Sequence, residues 1–228
     1  MQTRTKFADQ LDDIKNLLGR LKDKCSADII ASALAVNGDQ GAKEGVAAGR
    51  KDEDRLRSAI EESCLDAMLL QQPLIGDDMR FVTGAFRIVS DLSHIDGMAR
   101  DVVFHSDELP EKAVSKIGSE VSTLSELTSK MVSDAVDAFV ECDVELAQKV
   151  VEADLKVNSV YWELHDKLVQ LIRDGKSSAQ YMPETLMVAK YYERIGDLSK
   201  RVASWAIYRV TGEHKVEEKA SQQGGLEQ

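Results

Sequence analysis

Four polar residues late in the sequence have the types and spacing of a metal-binding groove. Glu193 and Asp197 stand one helical turn apart in "YYERIGDLSKRV", and Asp154 and Asn158 stand one turn apart in an earlier segment. Carboxylate and amide oxygens on neighbouring helices suit hard or borderline cations such as Mg²⁺, Mn²⁺, iron or zinc. Like charges placed this close repel one another unless a cation lies among them.

The two segments must lie side by side for these residues to meet. A short turn, "DGKSSAQYMP", joins them, so two antiparallel neighbouring helices are expected. Counted from that turn, Asn158 and Glu193 each lie roughly 22 Å along their helices, and Asp154 and Asp197 lie one turn further. The sequence therefore predicts that these four residues share one groove. Ordinary solvated ion pairs are the alternative interpretation, with three candidate cations: Lys156, Lys190 and Arg194.

A related stretch, "DLSHIDGMARDV", occurs about 100 residues earlier without the acidic pair. Ser93 and Gly97 stand where Glu193 and Asp197 stand in the later copy. The same counting places Asp54 opposite Ser93 and Arg50 opposite Gly97, so one carboxylate remains and a cation replaces another. We expect no metal in this first copy. Three nearby polar residues are expected on the surface: Asp91, His94 and Asp96.

Apolar residues recur every three or four positions almost throughout, which predicts an all-α protein with six long helices. The breakpoints "NGD" (37–39) and "ECD" (141–143) are offset by 104 residues. A repeat near 100 residues is typical of a duplicated three-helix bundle. The predicted organisation is a first bundle over 1–108, a second over 109–212, and a disordered tail over 213–228. Pro73 is expected in the first turn of the third long helix, and the sixth is expected to begin near Ser178.

The bulk composition excludes several functional classes. A net charge of −11 argues against nucleic acid, because phosphate backbones favour clusters of lysine and arginine. No apolar run approaches the roughly 20 residues of a membrane span, so we expect a cytoplasmic protein. No glycine-rich phosphate loop and no Ser/His/Asp or Cys/His set is evident, which predicts a protein without enzymatic activity.

The order of these features resembles the PhoU family of phosphate-signalling regulators. Three segments carry the resemblance: "LLQQPLIGDDMRFVTGAFRIVSDLSHIDGMA" (69–99), "VVEADLKVNSVYWELHDKL" (150–168) and "YYERIGDLSKRVASWAIYRVTGE" (191–213). In the family, "ERIGD" occurs in both bundles, whereas it is intact only once here. The resemblance covers nearly the whole chain except the tail.

The resemblance implies a non-enzymatic cytoplasmic repressor of the phosphate-starvation response, and a homodimer. Such a protein connects the ATPase subunit of the phosphate ABC transporter to a sensor histidine kinase, and meets the membrane only through these partners. Some family members bind iron, zinc, Mg²⁺ or Mn²⁺ through Glu/Asp-x-x-x-Asp motifs. Glu193 and Asp197 match one motif fully, and Asp154 with Asn158 matches another with an amide in last place.

Two other interpretations stay open from the sequence. A divergent PhoU-like bundle could bind metal and serve a different partner or a metal-storage role. Ferritin-like storage bundles use Glu-x-x-His pairs, however, and no histidine follows a glutamate by three residues in these helices. A purely structural bundle whose acidic face has no specific partner is the third interpretation.

Overall fold

Seven α-helices account for the regular structure in a computed structural model that describes residues 2–70, 74–174 and 181–213. In chain order they are α1 (Gln2–Val36), α2 (Gln40–Ala48), α3 (Arg50–Leu70), α4 (Asp77–Ser106), α5 (Glu111–Glu141), α6 (Val144–Arg173) and α7 (Met182–Thr211). No strand occurs in these ranges, and every helix except α2 is long. The prediction of an all-α protein with six long helices is confirmed.

The two predicted breakpoints have the same backbone geometry. After α1, Gly38 has a φ of 97°, and the Asp39 side chain accepts a hydrogen bond from the amide of Ala42. After α5, Cys142 has a φ of 58°, and the Asp143 side chain accepts from the amide of Leu146. An aspartate that caps the next helix satisfies one of its free amides, which fixes the point where the chain turns back.

The short helix α2 and a break at Gly49 separate α1 from α3. A Cβ atom at Gly49 would lie 2.6 Å from Nζ of Lys24, so a larger residue here would require the end of that lysine side chain to shift. The start of α3 at Arg50 is within one residue of the predicted start at Lys51. Pro73 and Ser178, which were expected in the first turns of the last helix of each half, lie outside the described residues.

Helices α1, α4, α5 and α7 form the centre of the protein, with α3 against α1 and α4 on one side and α6 against α5 and α7 on the other. The core is continuous through both halves of the chain. At its middle, the buried hydroxyls of Ser32 in α1 and Tyr192 in α7 lie 2.8 Å apart in a hydrogen bond. The division of the chain near residue 108 stays a prediction.

Arg209 joins α7 to α4 and α5 at one end of the core. Its buried guanidinium forms an ion pair with Asp77 and donates to the backbone oxygens of Phe139 and Val140 at 2.7 and 3.0 Å. The Phe139 ring of α5 stacks on Phe81 of α4 with centroids 5.6 Å apart, so these contacts together hold α4, α5 and α7 against one another. No helix in the described ranges is long and apolar enough to cross a membrane.

Candidate functional site

Helices α6 and α7 pack against each other at the predicted position, and a glycine brings them close together. The two helices are antiparallel neighbours, and Val150, Val157 and Leu164 of α6 are buried as their spacing predicts. A Cβ atom at Gly196 would lie 3.1 Å from Oδ1 of Asp154. The missing side chain at this position therefore makes room for a carboxylate between the helices.

A lysine ammonium occupies the position between the two aspartates. Nζ of Lys200 lies 2.8 Å from Oδ2 of Asp154 and 2.9 Å from Oδ1 of Asp197. The Asn158 amide also donates to Oδ2 of Asp154 at 2.8 Å. Burial lowers the pKa of Lys200, but its hydrogen bonds to the two aspartates outweigh this effect and raise the pKa above its usual value. The repulsion between the two carboxylates is thus compensated from within the chain.

One oxygen of this group is left without a partner. Asp154 is only 4% exposed, and its Oδ1 has no hydrogen bond to any described residue. A buried acceptor in this state is costly, and such orphaned groups often mark a site for an ion or water. Asp154 is therefore the most unusual carboxylate of the predicted set.

Glu193 pairs with a different lysine. Nζ of Lys190 lies 2.7 Å from Oε2 of Glu193, in an ion pair without hydrogen-bond geometry, and also lies 5.3 Å from the Tyr161 ring centroid. Within the described parts of the chain, Glu193 and Asp154 share no bridging lysine, since Lys190 pairs with Glu193 and Lys200 with Asp154. Among these residues, no three His, Cys, Asp or Glu side chains are grouped to hold a metal ion. A cation could bind between the aspartates only by displacing Lys200, so the metal site stays a prediction.

In the first half, the register of α3 against α4 differs from the predicted one. The Ser93 hydroxyl donates to Oε1 of Glu53 at 2.7 Å, and Glu53 is 2% exposed. Asp54, which was expected opposite Ser93, is half exposed and pairs with Arg57 at 3.2 Å. Glu53 falls on the buried face of α3 with Leu56, Ile60 and Cys64. That apolar face fixes the rotation of the helix, whereas counting from a turn does not.

The remaining two residues of the first-half set do not form a cation site. Arg50 is exposed at the start of α3, and Gly97 lies in the middle of α4. The expected difference in charge between the two halves is therefore present in the side chains, although Glu53 takes the place foreseen for Asp54.

A buried charge cluster between α1 and α4 was missed from the sequence. Asp96 is fully buried, and it forms ion pairs with Arg100 and, at 3.5 Å, with Lys24. Lys24 also lies 2.5 Å from Oδ2 of Asp28. Burial raises the pKa of Asp28 to about 6, with a further contribution from Asp96 that Lys24 opposes. Two cations and two carboxylates compensate one another here.

The expectation that Asp91 and Asp96 lie on the surface is wrong, whereas His94 is exposed as expected. Asp91 is buried because it forms a bidentate pair with Arg201 of α7, in which Nε donates to Oδ2 at 2.9 Å. The available signal for Asp96 was Arg100 four residues later, a spacing that places the two side chains on one helical face.

Comparisons with known proteins agree with this architecture. Residues 22–103 and 121–206 each match the family model of the PhoU domain. A relative from Aquifex aeolicus, named phosphate-specific transport system accessory protein PhoU homolog, is 32% identical over 170 residues, which cover 75% of this chain and 76% of the relative. A relative of the same name from Clostridium acetobutylicum is 29% identical over 165 residues, which cover 72% of this chain and 75% of the relative.

Two crystal structures share the fold. PhoU from Pseudomonas aeruginosa superposes with a TM-score of 0.79 at 22% identity, covering 91% of this chain and 100% of that chain. The phosphate transport system regulatory protein PhoU from Streptococcus pneumoniae gives 0.82 at 20% identity, covering 91% and 98%. The fold and the two matched segments define a helical-bundle protein that carries a similar domain twice. With two matched domains spanning most of its length, the chain belongs to the PhoU family.

Proposed function

We propose that this protein is a non-enzymatic regulator of phosphate uptake and phosphate-starvation signalling. The observation that carries the proposal is that two segments of this chain match the PhoU domain. Its relatives are named accessory proteins of a phosphate-specific transport system.

The regulator acts as an adaptor in the cytoplasm. It contacts the ATPase subunit of the phosphate ABC transporter and a sensor histidine kinase, works as a homodimer, and reaches the membrane only through these partners. Its acidic balance supports contact with basic protein surfaces more than with nucleic acid, because like charge opposes approach to a phosphate backbone.

A cation of the Mg²⁺, Mn²⁺, iron or zinc type binds in the second half only. It takes the place of the Lys200 ammonium between Asp154 and Asp197, with oxygen from Asn158 nearby. The unpartnered, buried Oδ1 of Asp154 supports this proposal, because a hard cation would satisfy it. The first half has no equivalent, since its groove holds Glu53 against a serine and not against a second acid.

Deletion of the gene in its source organism tests the regulatory function. In high phosphate, we expect the deletion strain to express phosphate-starvation genes constitutively, as read by a phosphatase reporter, and the wild-type gene to restore repression. Co-purification with the transporter ATPase and with the kinase tests the adaptor role.

Unchanged reporter activity in the deletion strain would contradict the proposal. If the purified chain then carried stoichiometric metal, the divergent metal-binding bundle with another partner would be the supported function. Many metal ions per chain would favour a storage role.

A further inference from the structure

A long groove runs along the outer face of the contact between α4 and α7. It consists of two cavities of about 510 and 500 Å³ on the same pair of helices. On α4 the lining extends from Gly76 to Asp101, and on α7 from Tyr191 to Gly212. At the usual helical rise, 25 residues span about 38 Å. We call this surface the α4–α7 groove, and it differs from the α6–α7 groove of the candidate metal site.

Ion pairs between the two helices keep the α4–α7 groove in place. His105 of α4 lies 2.5 Å from Glu184 of α7 at one end, and Arg209 pairs with Asp77 at the other. Between the two cavities, Arg201 holds Asp91. These pairs fix the antiparallel register, so a partner would meet a preformed surface and would not have to order it first.

Arginines outnumber carboxylates along the α4–α7 groove, which Asp101 also lines, although the chain as a whole is acidic. Arg80 and Arg87 line one cavity and Arg194 and Arg201 line the other, whereas the net charge of the protein is −11. Arg80 is engaged with a backbone oxygen of α7 and Arg201 with Asp91. In the described ranges, exposed Arg87 and Arg194 have neither a hydrogen bond nor an ion pair. Two guanidinium groups are therefore available to a partner.

Apolar and aromatic side chains line the groove between the arginines. Met79, Trp205 and Tyr208 line the first cavity, and Met98, Tyr191 and Leu198 line the second. Aromatic side chains, methionine and arginine are enriched where proteins bind one another. Grooves that combine apolar and charged side chains in this way can bind amphipathic helices.

We propose that the α4–α7 groove docks an acidic amphipathic helix of a partner protein. The inference rests on the proposed adaptor role and names the chemistry of one of its partners. In the antiparallel register, Arg87 and Arg194 lie about 15 Å apart along the groove, which corresponds to roughly ten residues of helix. The docked helix carries carboxylates at that spacing on its edges, and a leucine or aromatic stripe between them that contacts Trp205.

A tryptophan reporter tests the proposal directly. The chain has two tryptophans, and Trp162 is exposed on α6, so Trp162→Phe leaves Trp205 as the only one, inside the groove. The probe is a synthetic 21-residue helical peptide with glutamates ten residues apart and a leucine stripe. We expect a saturable change of Trp205 fluorescence on titration with this peptide. The affinity should be weaker at high salt, because ions screen the attraction between the charges.

Charge-reversed variants identify the residues responsible. Arg87→Glu with Arg194→Glu should weaken binding by about tenfold or more, because reversal turns two attractions into repulsions. Arg20→Glu with Arg55→Glu is the matched control. It makes the same charge change at two exposed arginines of a groove between α1 and α3, and it should leave the affinity within about twofold. A peptide with glutamine in place of glutamate should lose affinity as the groove variant does.

Three results would overturn the proposal: no saturable binding to the wild-type groove, equal weakening by the control pair, or equal affinity for the glutamine peptide. Dissociation of a dimer by Arg87→Glu with Arg194→Glu, measured by sedimentation, would instead identify a second copy as the occupant and would also overturn it. Failed peptide binding together with the expected loss of repression in the deletion strain would refute the groove alone, whereas unchanged reporter activity in the deletion strain would refute the proposed function.

Discussion

Replacing Lys200 with methionine removes the ammonium that lies between Asp154 and Asp197 and changes the side-chain volume little. In the wild-type protein the lysine ammonium lies within 2.9 Å of both carboxylates. The variant leaves Asp154, with one oxygen already unpartnered, as an uncompensated charge in a buried position.

The expected loss of stability follows from burial. The Asp154 and Lys200 side chains are 5% and 18% exposed, so water screens the pair poorly. Breaking a buried pair by removing one partner costs about 3–5 kcal/mol, and the remaining Asn158 hydrogen bond places this variant near 3 kcal/mol. For a chain of this length, the melting temperature should fall by about 6–12 °C.

Urea unfolding followed by circular dichroism measures this loss, with Lys190→Met as the matched control. Lys190 also pairs with an acid on α7, but it is 43% exposed, so its removal should cost less than about 1 kcal/mol. Adding Asp154→Asn to Lys200→Met should recover most of the lost stability, because the uncompensated charge is then removed.

Metal addition extends the experiment to the proposed cation site. Without Lys200, Mn²⁺ or Mg²⁺ can take the vacated position, and a cation at 100 times its dissociation constant would add about 2.7 kcal/mol to the variant's stability. The same metal should not stabilise the double variant that lacks Asp154. Equal losses for Lys200→Met and Lys190→Met would refute the reasoning about charge, and an unchanged variant in metal would refute the proposed site.

Two further predictions concern the first half of the protein and the core. Because the pKa of Asp28 is raised to about 6 by burial, its protonated form stabilises the fold at pH 4, and this contribution disappears as the pH rises through 6. The free energy of unfolding of Asp28→Asn, relative to that of the wild type, should therefore be about 2 kcal/mol higher at pH 7 than at pH 4, measured by urea unfolding at both values. The same difference between variant and wild type at both pH values would contradict this. A Cβ atom at Gly84 would lie 2.7 Å from the Phe139 ring, so Gly84→Ala should cost about 1–3 kcal/mol. Gly19→Ala, in open space on α1, should instead stabilise the protein by about 0.5–1 kcal/mol in thermal unfolding. A stability change of the same sign for both variants would refute the steric argument.

The helices and their breakpoints could be predicted because they depend on local chemistry. An aspartate after a tight turn caps the following helix, and Asp39 and Asp143, the last residues of the two predicted breakpoints, mark the starts of α2 and α6. The 3–4 spacing of apolar residues likewise identifies the buried faces, including Gly196 at the contact between α6 and α7.

The identities of the ion-pair partners could not be read from spacing alone. Lys190 was a predicted candidate and does pair with Glu193, but the lysine that bridges Asp154 and Asp197 is Lys200. Lys200 stands three residues after Asp197 on the same helix, whereas its contact with Asp154 depends on how α7 packs against α6.

The buried acids Asp91 and Asp96 were missed for a related reason. A periodicity argument assigns charged residues to the solvent, since an isolated buried charge is unfavourable. Arg201, the partner of Asp91, lies 110 residues further along the chain, and Asp96 pairs with Lys24 of α1 in addition to Arg100 of its own helix. Only the assembled structure shows that these charges are compensated.

The hydroxyl pair at the centre of the protein, Ser32 with Tyr192, has a consequence for its ancestry. An ancestral gene encoding one three-helix unit would have produced a polypeptide with an exposed apolar surface, which self-association could cover. Fusion of two such genes would make that association permanent. Thereafter each copy could accumulate its own mutations without a matching change in a twin, which is how one copy could keep its acids while the other lost them.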